Sequence, residues 1–168
     1  MKTDTAKVRL LNELSYEVVE ADTALAHKYA NEALVKARSV GYSEGMVSAY
    51  YNIAYVYELL YKQRVAESYY LKGIAIANQK ALPRSAAFGY QNYAVLLKKE
   101  RKFKQALQTN LQAVHLYDRL RDTLHLAVVY TNVGNCYSNL NLPELAITYC
   151  NNALSRVNRI FEYQFEST

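Results

Sequence analysis

The stretch SEGMVSAYYNIAYVYELLYKQRVAESYYLKGIAIANQK, residues 43–80, predicts two consecutive helices. Apolar residues in its first half follow the i, i+3, i+4, i+7 spacing of one helix face. They are Tyr50, Ile53, Ala54 and Tyr57. Its second half continues with another helical stripe, formed by Ala66, Tyr69, Tyr70, Gly73, Ile74 and Ala77. A short polar break at residues 62–64 separates the halves, so the stretch reads as helix, tight turn and helix.

The same pattern returns every 40 residues along the chain. Its clearest registers are Asn12, Asn52, Asn92 and Asn132; Ala26, Ala66, Ala106 and Ala146; Ala33, Gly73, Ala113 and Ala153; and Leu34, Ile74, Val114 and Leu154. Tyr50, Tyr90 and Tyr130 share a further register, with Leu10 in the first copy. Because several registers keep one period through four copies, the sequence predicts four helix-pair repeats.

The predicted architecture is a single array over residues 5–160, followed by a C-terminal tail at 161–168. The repeats are expected at about 5–40, 43–80, 83–120 and 123–160. The expected helices are 5–20, 22–39, 43–61, 64–80, 84–101, 104–120, 123–140 and 143–160. Gly41 suits a left-handed C-cap, and Pro83 and Pro143 suit first helical turns. Asp22 and Asp122 precede helices as N-caps.

These residues resemble the tetratricopeptide repeat, whose motif has a large residue, then Leu-Gly, Tyr, Ala, an aromatic residue and Ala. The second copy offers Tyr50, Ile53-Ala54, Tyr57, Ala66, Tyr70 and Gly73. The third offers Tyr90, Tyr93-Ala94, Leu97, Phe103, Ala106 and Ala113, and the fourth Tyr130, Val133-Gly134, Tyr137, Ala146, Cys150 and Ala153. The resemblance implies an all-α, right-handed α-solenoid of about eight antiparallel helices.

Two features depart from the usual motif. The period is 40 residues rather than about 34, and the proline that often closes the motif is absent. The chain is in this respect similar to the long-repeat branch typified by kinesin light chains, Pins-type spindle adaptors and bacterial Rap-like regulators. Arrays fused to bacterial histidine kinases and transcription regulators are similar too. The resemblance implies a protein-interaction scaffold, with a docking or sensing role in signalling.

Composition narrows the function classes. Five Gly and two Pro are too few for the many turns of an all-β fold, and 51% apolar residues argue against disorder. The net charge of +5 is scattered, whereas a nucleic-acid footprint forms a basic stripe on one face. No apolar run approaches the length of a membrane span, and no signal-peptide pattern opens the chain, so we expect a cytoplasmic protein. Cys136 and Cys150 are expected to be buried in helices.

Motifs for catalysis and for cofactors are missing from the sequence. There is no P-loop, no nucleophile elbow, no Gly-rich dinucleotide turn and no His-Glu-x-x-His. No cysteine or histidine spacing matches a zinc site. We therefore expect neither an enzyme nor a bound cofactor or metal.

The concave surface implied by the resemblance is the expected binding site for a protein or peptide. The repeated asparagine is its main candidate, since an amide can both donate to and accept from a peptide backbone. The predicted peptide-binding residues are Asn12, Asn52, Asn92, Asn132, Tyr51, Tyr55, Gln91, Lys98, Lys99 and Asn135. The tyrosines would select side chains, and the lysines would supply part of a grip on a carboxylate. Alternatively, the asparagines hydrogen-bond between neighbouring helices and are purely structural.

The two ends of the sequence carry further expectations. Glu13 and Glu17 occupy the registers of Ile53 and Tyr57, so a first helix that leaves them in water is predicted there. At the other end, an apolar tail contains Ile160, Phe161, Tyr163 and Phe165. This tail is a candidate for folding over the last groove, for self-association or for leading into a further segment. A self-assembling structural protein is therefore an alternative to the peptide scaffold. A secretion-type chaperone, which this chain matches in size, is another.

Overall fold

The computed structural model describes the backbone of residues 2–166 and the side chains of residues 3–158. Over this range the chain forms eight α-helices and no strand. They are α1 Lys2–Val18, α2 Thr23–Ser39, α3 Ser43–Leu59, α4 Gln63–Gln79, α5 Pro83–Lys99, α6 Phe103–Arg119, α7 Thr123–Asn139 and α8 Pro143–Glu166. The all-α class and the sequence of four helix pairs are confirmed.

The helices follow the predicted spans with differences at the ends of the chain. Helix α1 begins at Lys2 rather than near residue 5, and α8 continues to Glu166 instead of ending near 160. The segment predicted as a separate tail is therefore helical as far as Glu166. The side chains of Ile160, Phe161, Tyr163 and Phe165 lie outside the described residues.

The expected caps are in place. The Asp22 carboxylate accepts a hydrogen bond from the Leu25 amide at 2.9 Å, and Asp122 accepts one from the His125 amide at 3.2 Å. Pro83 is the first residue of α5. An amide hydrogen at this position would make no hydrogen bond within the helix, so proline costs nothing by lacking it. These contacts satisfy donors that a helix start leaves unpaired.

Six of the seven turns between these helices, all those after α2, use a left-handed residue whether or not that residue is glycine. Gly41 has φ 67°, and the same conformation occurs at Tyr61, Ala81, Arg101, Arg121 and Asn141. At Tyr61 the amide donates to the Glu58 carbonyl at 3.0 Å, and the next amide, of Lys62, donates to the Tyr57 carbonyl at 2.9 Å. This pair of bonds is the Schellman motif, and it lets helices that start 20 residues apart turn back within three residues.

Replacing Ala81 with Gly should raise the free energy of unfolding by about 1 kcal/mol, because a left-handed conformation costs an L-residue about 1–2 kcal/mol. Ala81 is exposed with φ 51°, so no packing is lost. Ala75→Gly, at an exposed position inside α4, should instead lower stability by about 1 kcal/mol. Urea unfolding of both variants measures these two changes in the free energy of unfolding. Destabilisation by both would show that the turn does not strain Ala81.

The chain divides into two compact units, one up to Gly89 and one from Tyr90 onward. In the first unit, α2 packs on α3 through a cluster of Leu11, Ala30, Ala33, Leu34, Ala49, Tyr50 and Ile53. In the second unit, Leu97, Ala106 and Cys136 form a buried cluster. Tyr50 is 7% exposed and belongs to the core, whereas Tyr90 and Tyr130 are half-buried.

The repeated alanines are buried, which lets the two helices of a pair approach closely. Ala26, Ala66 and Ala106 are fully buried, and Ala146 is 9% exposed. The expectation for the cysteines holds for one of them: Cys136 is fully buried, but Cys150 is exposed. Cys150 lies on α8 at the register of Ala30, which packs on the helix that follows it.

Candidate binding surface

Helix α7 of the second unit presents one stripe of exposed side chains. Leu124 is 60% exposed and Val128 44% exposed, and Thr131 and Asn135 follow at helical spacing, both exposed. The opposite side of α7 is buried at Val129, Val133 and Cys136. Core packing therefore does not need this stripe, which combines apolar surface with a hydroxyl and an amide.

Helix α3 of the first unit presents a corresponding stripe. Ser48 is exposed, and Asn52, Tyr55 and Leu59 are half-buried. The Tyr55 hydroxyl donates to a Glu20 carboxylate oxygen at 3.1 Å. Partial burial, and then the Glu20 hydrogen bond and charge, raise the pKa of Tyr55 above its usual value of about 10. Tyr55 is accordingly a neutral hydroxyl at physiological pH, half-covered by Val19, Ala26 and Val56.

The first two asparagines connect helices α1 and α3. Asn12 is only 7% exposed, and its side-chain nitrogen donates to the Gly45 carbonyl at 3.1 Å. The Asn52 nitrogen donates in turn to the Asn12 carbonyl at 2.8 Å and approaches the Asn12 side-chain oxygen at 3.4 Å. Both amide donors thus tie neighbouring first helices together, which is the structural alternative that the sequence left open.

Tyr51 lies in the core, not on the surface where the sequence placed it. Its side chain is 5% exposed, and its hydroxyl donates to the Ser85 carbonyl at 3.0 Å. The ring packs on Gly73 and the hydroxyl on Gly89, where an added Cβ would clash. The helical period alone could not show this position, because these two glycines leave the space that the ring fills.

The remaining predicted residues differ in exposure. Gln91, Asn92, Lys98 and Asn132 are half-buried, and Lys99 and Asn135 are exposed. The Gln91 side-chain oxygen is buried and has no hydrogen-bond partner among the described residues. The Asn139 side-chain nitrogen donates to the Asn135 backbone carbonyl at 2.8 Å, and the Asn135 side chain is exposed. Peptide binding by these residues stays a prediction.

One exposed member of the stripe was missed by the sequence reasoning. Leu124 is the most exposed apolar residue on α7, yet its register holds Glu44 and Arg84 in earlier copies. Those two charged residues are typical of a solvated helix start, so the repeat gave no signal for an apolar contact. Only the exposure of Leu124 in the folded unit reveals it.

A basic depression of about 400 Å³ lies at the turn between α5 and α6. It is lined by Arg101, Lys102, Phe103, Lys104, Gln105 and Leu140. Within residues 3–158, no group of three or more His, Cys, Asp or Glu side chains is arranged to hold a metal ion. No helix in the described part of the chain is long and apolar enough to cross a membrane.

Comparison with known families identifies the repeat. The tetratricopeptide-repeat family model matches residues 47–80 and 127–156, which correspond to the α3–α4 and α7–α8 pairs. These two helix pairs are tetratricopeptide repeats. Proteins with this repeat are generally non-catalytic scaffolds for protein–protein interaction. No curated protein sequence matches it significantly.

Solved tetratricopeptide structures share the fold at low sequence identity. BtubC (BKLC) from P. vanneervenii is 18% identical with a TM-score of 0.80, over 91% of this chain and 64% of that one. Aspartyl phosphate phosphatase F from Bacillus subtilis is 14% identical with a TM-score of 0.86, over 92% and 41%. A Podosopora anserina putative kinesin light chain is 12% identical with a TM-score of 0.73, over 88% and 74%. The chain thus spans less than two thirds of the first two structures.

Proposed function

We propose that this tetratricopeptide protein is a docking scaffold that holds an extended segment of a partner protein against the first helices of its repeats. The observation that carries the proposal is the exposed stripe on α7. Leu124 and Val128 offer apolar contact to partner side chains, and the exposed Asn135 amide offers hydrogen bonds to a peptide backbone. The Thr131 hydroxyl donates to the Ala127 carbonyl at 3.1 Å and offers a partner its acceptor side. An exposed apolar patch rimmed by polar groups is typical of an interaction site.

In the first unit the proposal gives the asparagines a supporting role. Asn12 and Asn52 fix α1 against α3 through their amide donors, so the groups that face a partner there are Ser48 and Tyr55. A rigid aromatic side chain with a hydroxyl suits a binding surface, because it loses little conformational entropy on contact. Asn92, Asn132 and Gln91 remain candidates for direct contact.

Charge favours an acidic partner segment. The net charge is +5, and Lys98, Lys99 and the basic depression around Lys102 and Lys104 lie close together in sequence. Complementary charge accelerates association more than it adds affinity. The docking role that we propose is in signalling, as the resemblance to bacterial Rap-like regulators implies. The two cysteines are free thiols, which suits the cytoplasm that we propose as its location.

Thr131→Ala/Asn135→Ala should abolish or weaken at least tenfold the capture of partner proteins from the native cell extract. The two side chains are exposed, so their loss removes contacts with a partner and leaves the core intact. The matched control is Gln108→Ala/Gln112→Ala, a pair of exposed residues on α6 that should capture as the wild type does. Circular dichroism checks that all three proteins are equally folded. Equal capture by both double variants would place the partner on another face.

A further inference from the structure

Helix α8 leaves uncovered an apolar face that the other second helices bury. Leu154 is 58% exposed, whereas Leu34 and Ile74, at the same register, are 6% and 5% exposed. Cys150 is exposed, whereas the residues at its register in the earlier copies, Ala30, Tyr70 and Asn110, are 0%, 2% and 2% exposed. Ile147 is 61% exposed on the same side. We call Ile147, Cys150 and Leu154 the α8 face.

Inside the molecule this register is covered by the first helix of the next repeat. In the first unit, Ala30 and Leu34 of α2 pack on Ala49, Tyr50 and Ile53 of α3. In the second unit, Asn110 of α6 contacts Cys136 of α7 at 3.9 Å, and Tyr117 stacks on His125 with ring centroids 5.1 Å apart. A second helix of this protein is therefore built to receive another helix on this side.

The covering helices share a pattern. In α3 it is Ala49, Tyr50 and, three positions later, Ile53; in α7 it is Val129, Tyr130 and Val133. Ala49, Ile53, Val129 and Val133 are fully buried. We propose that the α8 face docks one amphipathic helix of a partner protein with this pattern: a small or β-branched residue, an aromatic residue, and an aliphatic residue three positions after it.

A second copy of the chain does not fit the face head to tail. In such an arrangement, α1 of the second copy would cover the α8 face as α3 covers α2. Where α3 has Ala49, Tyr50 and Ile53, α1 carries Arg9, Leu10 and Glu13. Ile53 is fully buried, so Glu13 would have to lose its water without a partner. Burying an unpaired carboxylate is strongly unfavourable, and the occupant is therefore a different helix.

The test uses a fluorescent synthetic peptide with the α3 sequence, residues 43–59, as the probe helix. Fluorescence anisotropy should show saturable binding to the full chain, weakened at least tenfold by Leu154→Glu and by Ile147→Glu. Both side chains are largely exposed, so neither variant should lose stability. Val35→Glu, at an α2 residue that is 67% exposed, should bind as the wild type does. A peptide with Ile53→Asp should not bind.

Two results would overturn the proposal. The first is equal peptide binding by the wild type and both α8 variants, which would place the peptide elsewhere, for example in exchange with the chain's own α3. The second is a concentration-dependent dimer in sedimentation equilibrium that Leu154→Glu makes monomeric, together with no peptide binding. That outcome would assign the α8 face to a second copy, packed in an arrangement other than head to tail.

Discussion

Replacing Gly73 with Ala should destabilise the protein by roughly 1–3 kcal/mol, the usual cost of overpacking a well-filled core. An added Cβ at this position would lie 2.8 Å from Cδ1 of Tyr51 and closer still to its Cε1. The ring is held in place, because its hydroxyl bonds to the Ser85 carbonyl at 3.0 Å and its end lies close against the Gly89 backbone. Chemical unfolding of the purified variant measures the change.

The repeat pattern alone predicts the opposite effect, namely that Gly73→Ala raises the stability of the protein. The register of Gly73 holds Ala33, Ala113 and Ala153 in the other copies, and Ala is the better helix former by about 1 kcal/mol. A consensus argument would therefore name Gly73→Ala as stabilising. The structure explains why the second copy differs from the others. Only Tyr51 needs the space that Gly73 leaves, because its register holds the smaller residues Leu11 and Thr131 in the first and last copies.

The control for this prediction recreates the pair of the first copy, where Leu11 and Ala33 share a core cluster. In a Tyr51→Leu background, Gly73→Ala should be neutral or stabilising by up to about 1 kcal/mol. The Tyr51→Leu variant alone is expected to lose stability, because it opens space that the ring filled. If Gly73→Ala stabilises both the wild type and the Tyr51→Leu background, the ring yields easily and the steric explanation is wrong.

The fold could be predicted from the sequence because it depends on period and capping. Four copies of one helical pattern set the number and order of the helices, and residues such as Asp22 and Pro83 marked their starts. The left-handed conformations of Tyr61 and Ala81 were not predicted, because a glycine at the position is the usual sequence signal for them. Their 20-residue spacing from Gly41 was the available clue.

The candidate site was less predictable, because exposure on a first helix depends on what the neighbouring helices leave open. Periodicity placed Asn52 and Tyr51 side by side on one stripe, yet one bonds to Asn12 and the other fills a space between glycines. The exposure of Cys150 has the same origin, since its register is buried only where another helix follows. A residue's register fixes its direction on the helix, and its neighbours decide its environment.

Replacing Tyr70 with Phe should destabilise the protein by about 1–3 kcal/mol, because it removes a hydrogen bond from a buried carboxylate. Tyr70 is 2% exposed, and its hydroxyl donates to a Glu58 carboxylate oxygen at 3.0 Å; Glu58 is itself 7% exposed. Glu58→Val/Tyr70→Phe removes both partners and restores the valine that the first copy carries as Val18. This double variant should be more stable than Tyr70→Phe, because it no longer contains the buried Glu58 carboxylate that has lost the Tyr70 hydroxyl as its donor.

The effect of Tyr70→Phe should also depend on pH in a defined direction. Burial first, and then the Glu58 charge and hydrogen bond, raise the pKa of Tyr70 well above its usual value of about 10. The folded protein therefore keeps a proton that the unfolded chain releases near pH 10. The resulting stability is fully present below about pH 10 and is lost as the pH rises beyond it.

The difference in free energy of unfolding between wild type and Tyr70→Phe should accordingly stay constant up to about pH 9. It should shrink above pH 10 by up to about 1.4 kcal/mol for each pH unit, because only the wild type must release that proton on unfolding. Tyr61→Phe, at a side chain that is 84% exposed, should follow the wild type throughout. Urea unfolding between pH 8 and pH 11 measures all three proteins. A constant difference over the whole range would mean that Tyr70 titrates alike in the folded and unfolded chain, and that its hydroxyl is not held by Glu58.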